Sequence, residues 1–309
     1  MVDRAGENGV GMVEGENTAE TIAANTEPAQ PTIERASDDC LIVRYDDWFA
    51  GAERWHLLIS DVHWDNPHCD RNLFHKLMKQ AKERNAMVSC FGDFFCAMQG
   101  KADKRSDKSS LRPEHQGSNY FDLLVDTAVV DITPYREYIL QITDGNHETA
   151  VKKNHEIDLV ERLCKELGVF HGGYSGFIKF LFSRGKSGKA SKTLFYHHGS
   201  GGGGVVTKGV IQTNRRAVWL PDADIVASGH VHESWLMELP RQRLSATGQT
   251  YFDTQYHVQL ATFKQEHTLA GGWHIERGAP PKPLGGWWLR WYFDGSKWGN
   301  VGMEIIRAS

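Results

Sequence analysis

Thiols are scarce in this chain. Its five cysteines, at positions 40, 69, 90, 96 and 164, form no C-x-x-C pair and no evenly spaced framework. That speaks against a disulfide scaffold and fits a reducing compartment. No run approaches the roughly 18 consecutive apolar residues of a membrane span. The opening residues Met1-Val2-Asp3-Arg4-Ala5-Gly6-Glu7 lack the basic-then-apolar order of a secretory signal. The expectation is a cytoplasmic protein with no membrane partner. A basic excess is also missing: 35 Lys+Arg against 39 Asp+Glu leave a net charge of -4. Coating nucleic acid by bulk charge is thereby disfavoured, while a local basic groove stays open. Residues 1–38 contain no aromatic side chain, too little apolar surface to offset their ordering entropy, and read as a flexible tail.

What remains is ordinary for a soluble globular chain, with 309 residues and 40% hydrophobic composition, enough for one large domain or two small ones. Histidine stands out at fifteen residues. Apolar runs alternate with amphipathic segments from Cys40 onward. Trp55–Ser60 reads as a buried strand. Asp70 is placed to cap a helix over Arg71–Arg84, with Leu73, Phe74, Leu77, Met78 and Ala81 on one face. A strand follows at Ala86–Phe91, then a helix at Tyr120–Ile132 and a strand at Tyr138–Ile142. A second helix spans Glu156–Leu167 and stops at Gly168. Further on, 176–182 and 193–198 form a hairpin around an exposed turn at 184–189, and Asp224–Ser228 is one more strand. Much of 234–307 reads as short strands broken by Gly and Pro. Strand–helix alternation followed by hairpins predicts a layered α/β fold with sheet on sheet inside.

Polar residues follow these strands with a pattern. Asp61-Val62-His63 comes after the first, Gly92-Asp93 after the second and Asp144-Gly145-Asn146-His147-Glu148 after the third. His197-His198-Gly199 ends the hairpin strand, and Gly229-His230-Val231-His232 follows the last. Carboxyl ends of strands in an α/β sheet converge on one crevice. Two Asp, one Asn and four His without a thiolate do not suit a structural zinc site. They are more ligands than one first-row metal takes and suit two metals sharing a carboxylate, an arrangement made for hydrolysing phosphate esters. His197 and His198 compete for one position, because neighbouring strand residues face opposite sides. The residue directly before the glycine turn, His198, is the better placed.

The ordered series Asp61-x-His63, Gly92-Asp93, Gly145-Asn146-His147-Glu148, a His at 197 or 198, and Gly229-His230-x-His232 resembles the calcineurin-like metallophosphoesterase superfamily over residues 55–235. The run YHHGSGGGG with VIQTNRRAVWLPDAD is similar to members encoded by bacteriophages and prophages. The resemblance implies a four-layer α/β/β/α sandwich, two mixed sheets flanked by helices, over 39–309. It implies one divalent ion on Asp61, His63, Asp93 and His232. A second would sit on Asp93, Asn146, the His at 197 or 198 and His230, with Asp93 bridging. His147 would stay free of metal and donate a proton to the leaving oxygen. Manganese is the first expectation, with zinc, iron or nickel as alternatives.

Two departures from the family pattern matter. The acidic residue that members often carry three positions after the bridging Asp is Cys96 here. An insertion at 99–119 also lies between two ligand-bearing strands and is expected to border the site. It carries five basic residues (Lys101, Lys104, Arg105, Lys108, Arg112) against three acidic ones (Asp103, Asp107, Glu114), a net +2. With Arg215-Arg216 and Arg241/Arg243 it reads either as solvated surface or as a rim steering an anionic substrate. Trp287, Trp288, Trp291 and Trp298 read as core packing, with base stacking the alternative. Gly199–Gly204 formally satisfies G-x-G-x-x-G, yet directly after a ligand histidine it fits close backbone approach to metal and phosphate better than a dinucleotide site. The substrate expectation is a phosphodiester, nucleic acid or nucleotide. A phosphomonoester or phosphoprotein is the alternative, and a non-catalytic scaffold the remaining one.

Overall fold

A computed structural model describes residues 29–99, 106, 111–184, 187–202, 204, 206–267, 273–276 and 278–309. In chain order the elements begin with β1 (Thr32–Ser37), β2 (Cys40–Tyr45), β3 (Glu53–Ile59), α1 (Arg71–Glu83) and β4 (Met87–Phe91). Then come α2 (Tyr120–Ile132), β5 (Ile139–Thr143), α3 (Asn146–His155), α4 (Leu159–Leu167), β6 (Phe170–Gly172) and β7 (Ser175–Arg184). The chain closes with β8 (Ser187–His197), α5 (Val210–Trp219), β9 (Ile225–Ser228), β10 (Trp235–Leu244), β11 (Thr250–Gln259), β12 (Gly286–Phe293) and β13 (Val301–Ala308). The strands form two sheets, ordered β13-β12-β3-β4-β5-β6 and β1-β2-β7-β8-β9-β11-β10. Both are mixed: β3, β4, β5 and β6 run parallel beside antiparallel β12 and β13, and β8, β9 and β11 run parallel beside antiparallel β7 and β10.

The layers follow from a period of two in fully buried strands. In β3, Leu57 packs into the core that holds Phe74, Leu77, Leu124 and Leu163, beneath α1, α2 and α4. Its neighbour Leu58 turns the other way, into the core between the sheets with Met87, Phe91, Leu140, Phe180, Ile225 and Trp291. A third, smaller cluster of Phe195, Leu220, Ala223 and Val226 covers the outer face of the second sheet, where α5 lies. The result is the α/β/β/α order, with the second helical layer thin: among the described residues of α5 only Thr213 is buried.

Local signals explain most elements. Asp70 caps α1 by accepting the Leu73 N–H at 2.9 Å, and Phe74, Leu77, Met78 and Ala81 form its buried face. Gly168 closes α4 with a left-handed φ of 71°. Several expectations are corrected. Residues 32–37, read as tail, form β1 and pair antiparallel with β2, while 1–28 lie outside the described residues. The helix expected over Glu156–Leu167 starts at Leu159. Glu156 instead ends α3 in the left-handed region, and Asp158 caps α4 by accepting the Glu161 N–H. α3 itself escaped notice because its sequence NHETAVKKNH carries no apolar stripe. The C-terminal strands are long, eight to ten residues each, rather than short. Trp288 and Trp291 are core, and Trp287 donates to the Gln259 carbonyl, whereas the Trp298 side chain lies outside the described residues.

Between the sheets one polar residue is conspicuous. His56 is fully buried, stacked edge-on against Phe180, bonded through Nε2 to Ser89 Oγ, and its Nδ1 has no partner. Burial lowers its pKa from 6.5 to about 3. The unfolded chain therefore takes up a proton near pH 6.5 that the folded chain refuses until about pH 3. This contribution to stability is complete above the unfolded value and is lost as pH falls toward the folded one. The urea midpoint of the wild type is expected to drop through that window, and His56→Phe to flatten the drop. An unchanged slope in the variant would assign the acid limb to other groups.

Candidate metal centre

The carboxyl ends of β3, β4, β5, β8 and β9 deliver Asp61 and His63, Asp93, Asn146, His198, and His230 and His232 to one place. Strand pairing continues past the strand ends to hold them there. The Asp61 and His63 N–H groups donate to the carbonyls of Gly92 and Asp93 at 3.0 Å each, and the Gly229 N–H donates to the His198 carbonyl at 2.8 Å. Asp61, His63, Asp93, His230 and His232 all have left-handed backbones, with φ from 51° to 73°. Non-glycine residues rarely adopt that region, and such outliers gather at functional sites. Two glycines of the motifs are required by the neighbouring side chains. Gly92 has φ 85° and a Cβ there would strike the His198 ring, while a Cβ on Gly229 would strike Ser60 Oγ.

The ligand atoms form two groups. Asp61, His63 and His232 present donors within 4.8 Å of one another, as do Asp93, His198 and His230. In the first, Asp61 Oδ1 and His63 Nε2 each lie 3.1 Å from His232 Nε2. In the second, His198 Nε2 lies 3.1 Å from both Asp93 Oδ2 and Asn146 Oδ1, and His230 Nδ1 lies 2.6 Å from Asn146 Oδ1. Donors about 2.0–2.2 Å from a shared ion stand about 3 Å apart when adjacent. These separations match that spacing.

The free atoms fit a cation as well. Asp61 is fully buried; its Oδ2 accepts the His230 N–H at 2.9 Å, and its Oδ1 has no hydrogen-bond partner. Asp93 Oδ1 accepts the His147 N–H at 3.0 Å, leaving Oδ2 toward His198. His198 Nδ1 faces the Phe91 carbonyl at 2.9 Å. A carbonyl only accepts, so Nδ1 carries a proton, and Nε2 is the nitrogen that would turn its lone pair to a cation once its own proton is released. Burial, then neighbouring imidazoles, hold His63 well below its usual pKa, and burial followed by His198 lowers His230. Burial alone would raise Asp93, but the His198 and His147 imidazoles outweigh it and hold the carboxyl far below its usual range. His198 is the reverse case: burial lowers it, yet Asp93 raises it to about 10. A proton there stands in for the positive charge the pocket calls for, and a bound cation would release it.

His147 lies beside the groups without joining either ligand set. Its Nδ1 faces the Cys96 carbonyl at 2.6 Å, and its Nε2 stands 3.8 Å from Asp93 Oδ2. The main-chain carbonyl at Cys96 thus orients His147. That carbonyl is held in turn by Asp65, which accepts the Cys96 and Ala97 N–H groups at 2.6 and 2.9 Å and the Tyr120 hydroxyl at 2.7 Å. Glu148 has a similar task. It accepts the N–H groups of Asp93, Gly145 and Phe95 at 3.1, 2.9 and 2.8 Å and ties two ligand loops together. Burial and Asp93 push its pKa up against those three bonds. Glu148 lies in the Gly145-Asn146-His147-Glu148 motif, whereas Asp65 carries no sequence signal at all.

His197 points away from both groups. Its Nδ1 accepts the Gly199 N–H at 2.9 Å, and its ring meets Tyr174 edge-on. Of the insertion at 99–119, residues 100–105 and 107–110 lie outside the described residues, with Lys101, Lys104, Arg105 and Lys108 among them. Arg112 is structural, donating to the carbonyls of Asn66 and Cys69 at 2.9 Å each. Arg241 and Arg243 are held by Asp253.

No protein-family model matches the chain, and no curated protein matches it. Solved structures match it over most of its length at low identity. A conserved protein of Streptococcus pneumoniae described as a predicted phosphoesterase is 12% identical, with 83% of this chain and 91% of that one covered and a TM-score of 0.31. A putative 5′-nucleotidase of Staphylococcus aureus is 12% identical, with 83% and 54% covered and a TM-score of 0.44, so the chain spans about half its length. Vps29 of Chaetomium thermophilum is 10% identical, with 82% and 95% covered and a TM-score of 0.32. At these scores the functional reading rests on the side chains of the site.

Calorimetric titration with Mn²⁺ is expected to find two equivalents bound by the wild type and fewer by Asp61→Asn or Asp93→Ala. A wild-type stoichiometry well below two at saturating metal would count against a shared site.

Proposed function

We propose that the chain is a calcineurin-like metallophosphoesterase, a phosphoric ester hydrolase that uses two divalent ions, and that its substrate is a phosphodiester. The observation that carries this reading is the pair of N/O donor groups at five strand ends, with the buried Asp61 Oδ1 accepting no hydrogen bond and lying 3.1 Å from His232 Nε2. Asp61, His63 and His232 would hold one ion and Asn146, His198 and His230 the other, with Asp93 between them. Manganese suits hard-to-borderline donors of this kind, ahead of zinc, iron or nickel. When bound, the two ions supply the Lewis acidity that makes water nucleophilic near neutral pH and offsets charge on the phosphoryl oxygens.

The protein's own residues do the rest. Glu148 and the left-handed strand ends keep the donors fixed, so no reorganisation is needed as charge develops. The Cys96 carbonyl keeps the His147 proton on Nδ1, which leaves Nε2 to carry a second proton toward the leaving oxygen. A phosphomonoesterase would share the same donors. A scaffold would not need His147 held so closely.

Hydrolysis of bis-p-nitrophenyl phosphate and p-nitrophenyl phosphate with added Mn²⁺ tests this. The diester is expected to turn over faster. His147→Ala is expected to lower kcat about 10²–10⁴-fold with metal stoichiometry unchanged. Failure to hydrolyse either ester with any divalent metal would leave the scaffold reading.

A further inference from the structure

Arg216 stands apart from the ion-paired arginines of this protein. Arg54, Arg71, Arg162, Arg241 and Arg290 each lie against an Asp or Glu. Arg216, half-buried on α5, has only neutral partners among the described residues: Nη1 donates to Ser228 Oγ, and Nη2 lies 3.4 Å from His197 Nδ1. A guanidinium has five N–H donors, so most of them are left to a cleft of about 250 Å³ that Arg216 and the exposed Arg215 line. No Asp or Glu is among the described residues of its wall. His257, deep in the cleft, adds no negative charge. Its Nε2 bonds to Gln255 Oε1 at 2.9 Å, and burial followed by Arg216 lowers its pKa to about 4, so it is neutral. The cleft therefore presents two positive charges that the protein itself does not neutralise.

The cleft also adjoins the metal centre. Gly199 and Gly229 lie on its wall; the first directly follows the ligand His198 and the second directly precedes His230. Arg216 lies on the far side of His197, which is next to His198 in the chain but turned away from the donor groups. Holding a bare guanidinium half-buried is costly unless an anion completes it. Its planar fork matches phosphate oxygens.

We propose that this cleft binds a second phosphate group of the substrate, beside the one hydrolysed, with Arg216 as the specificity-determining residue and Arg215 as its exposed companion. The inference rests on the phosphodiester reading above. The second phosphate comes either from the next internucleotide link or from a pyrophosphate.

The test compares the unphosphorylated dinucleotide TpT with its 5′-phosphorylated and 3′-phosphorylated forms and with a dithymidine pyrophosphate, in Mn²⁺. At least one of the latter three is expected to exceed TpT in kcat/KM by about tenfold or more, mostly through KM. Preference for a phosphorylated dinucleotide points to a nucleic-acid chain, and preference for the pyrophosphate to the other source. Arg216→Gln is expected to erase the preference while TpT and bis-p-nitrophenyl phosphate turn over as in the wild type. Arg215→Gln, a surface change that should not disturb folding, is expected to reduce the preference partway. No preference in the wild type, or an equal loss on every ester in Arg216→Gln, overturns the proposal. Should the wild type hydrolyse none of these esters, the enzymatic reading fails, and titration with inorganic pyrophosphate in EDTA still decides the subsite. Heat of binding in the wild type that is lost in Arg216→Gln supports it, and no binding overturns it.

Discussion

Two carboxylates, Asp61 and Asp93, are buried at the ends of neighbouring parallel strands, and much of the molecule exists to keep them there. An ionised carboxylate out of water costs several kcal/mol unless bonds or opposite charge replace its hydration. One oxygen of each is therefore given to a main-chain donor, the His230 N–H for Asp61 and the His147 N–H for Asp93. The other oxygen of each faces imidazole nitrogen. That division leaves one oxygen on each acid oriented and available, which is what a cation site needs.

The surrounding chain is bent to the same end. Five of the seven donor residues sit in the left-handed backbone region, where each costs on the order of 1–3 kcal/mol. The strain is held by paired strand-end loops and by Glu148, whose carboxylate gathers three N–H groups from two loops. Asp65 does the same for the turn that aims His147. Neither acid offers an oxygen to the donor groups, yet through main-chain N–H groups they set where the donors point. The hydrophobic cores above and below the first sheet supply the rigidity on which this depends.

The two sides of the sandwich are built differently. The first sheet is covered by α1, α2 and α4 with a continuous apolar core. The second is covered thinly by α5, beside a small cluster and an open, basic cleft. The well-packed side supplies Asp61, His63, Asp93 and Asn146. The loosely covered side supplies His198, His230 and His232 together with Arg216, and so has room for a ligand next to its donors.

Much of this was legible in the sequence, for definite reasons. Buried strands such as WHLLIS announce themselves as apolar runs, and donors placed just after them must converge because parallel strands end on one side. The capped helix α1 and the apolar stripe of α2 were equally plain. Where the chain relies on long-range pairing, the sequence was silent. β1 looks like tail, since its strand character comes from pairing with β2. α3 lacks an apolar stripe because it is held by its N-terminal ligand loop. The choice of His198 over His197 depended on which residue faces Asp93 across the sheets. That the Cys96 carbonyl orients His147, that Asp65 holds that carbonyl, and that Arg216 lines a cleft with no Asp or Glu among the described residues of its wall were decided only by tertiary structure. A residue's type fixes what bonds it can make, but the fold determines which partners come within reach.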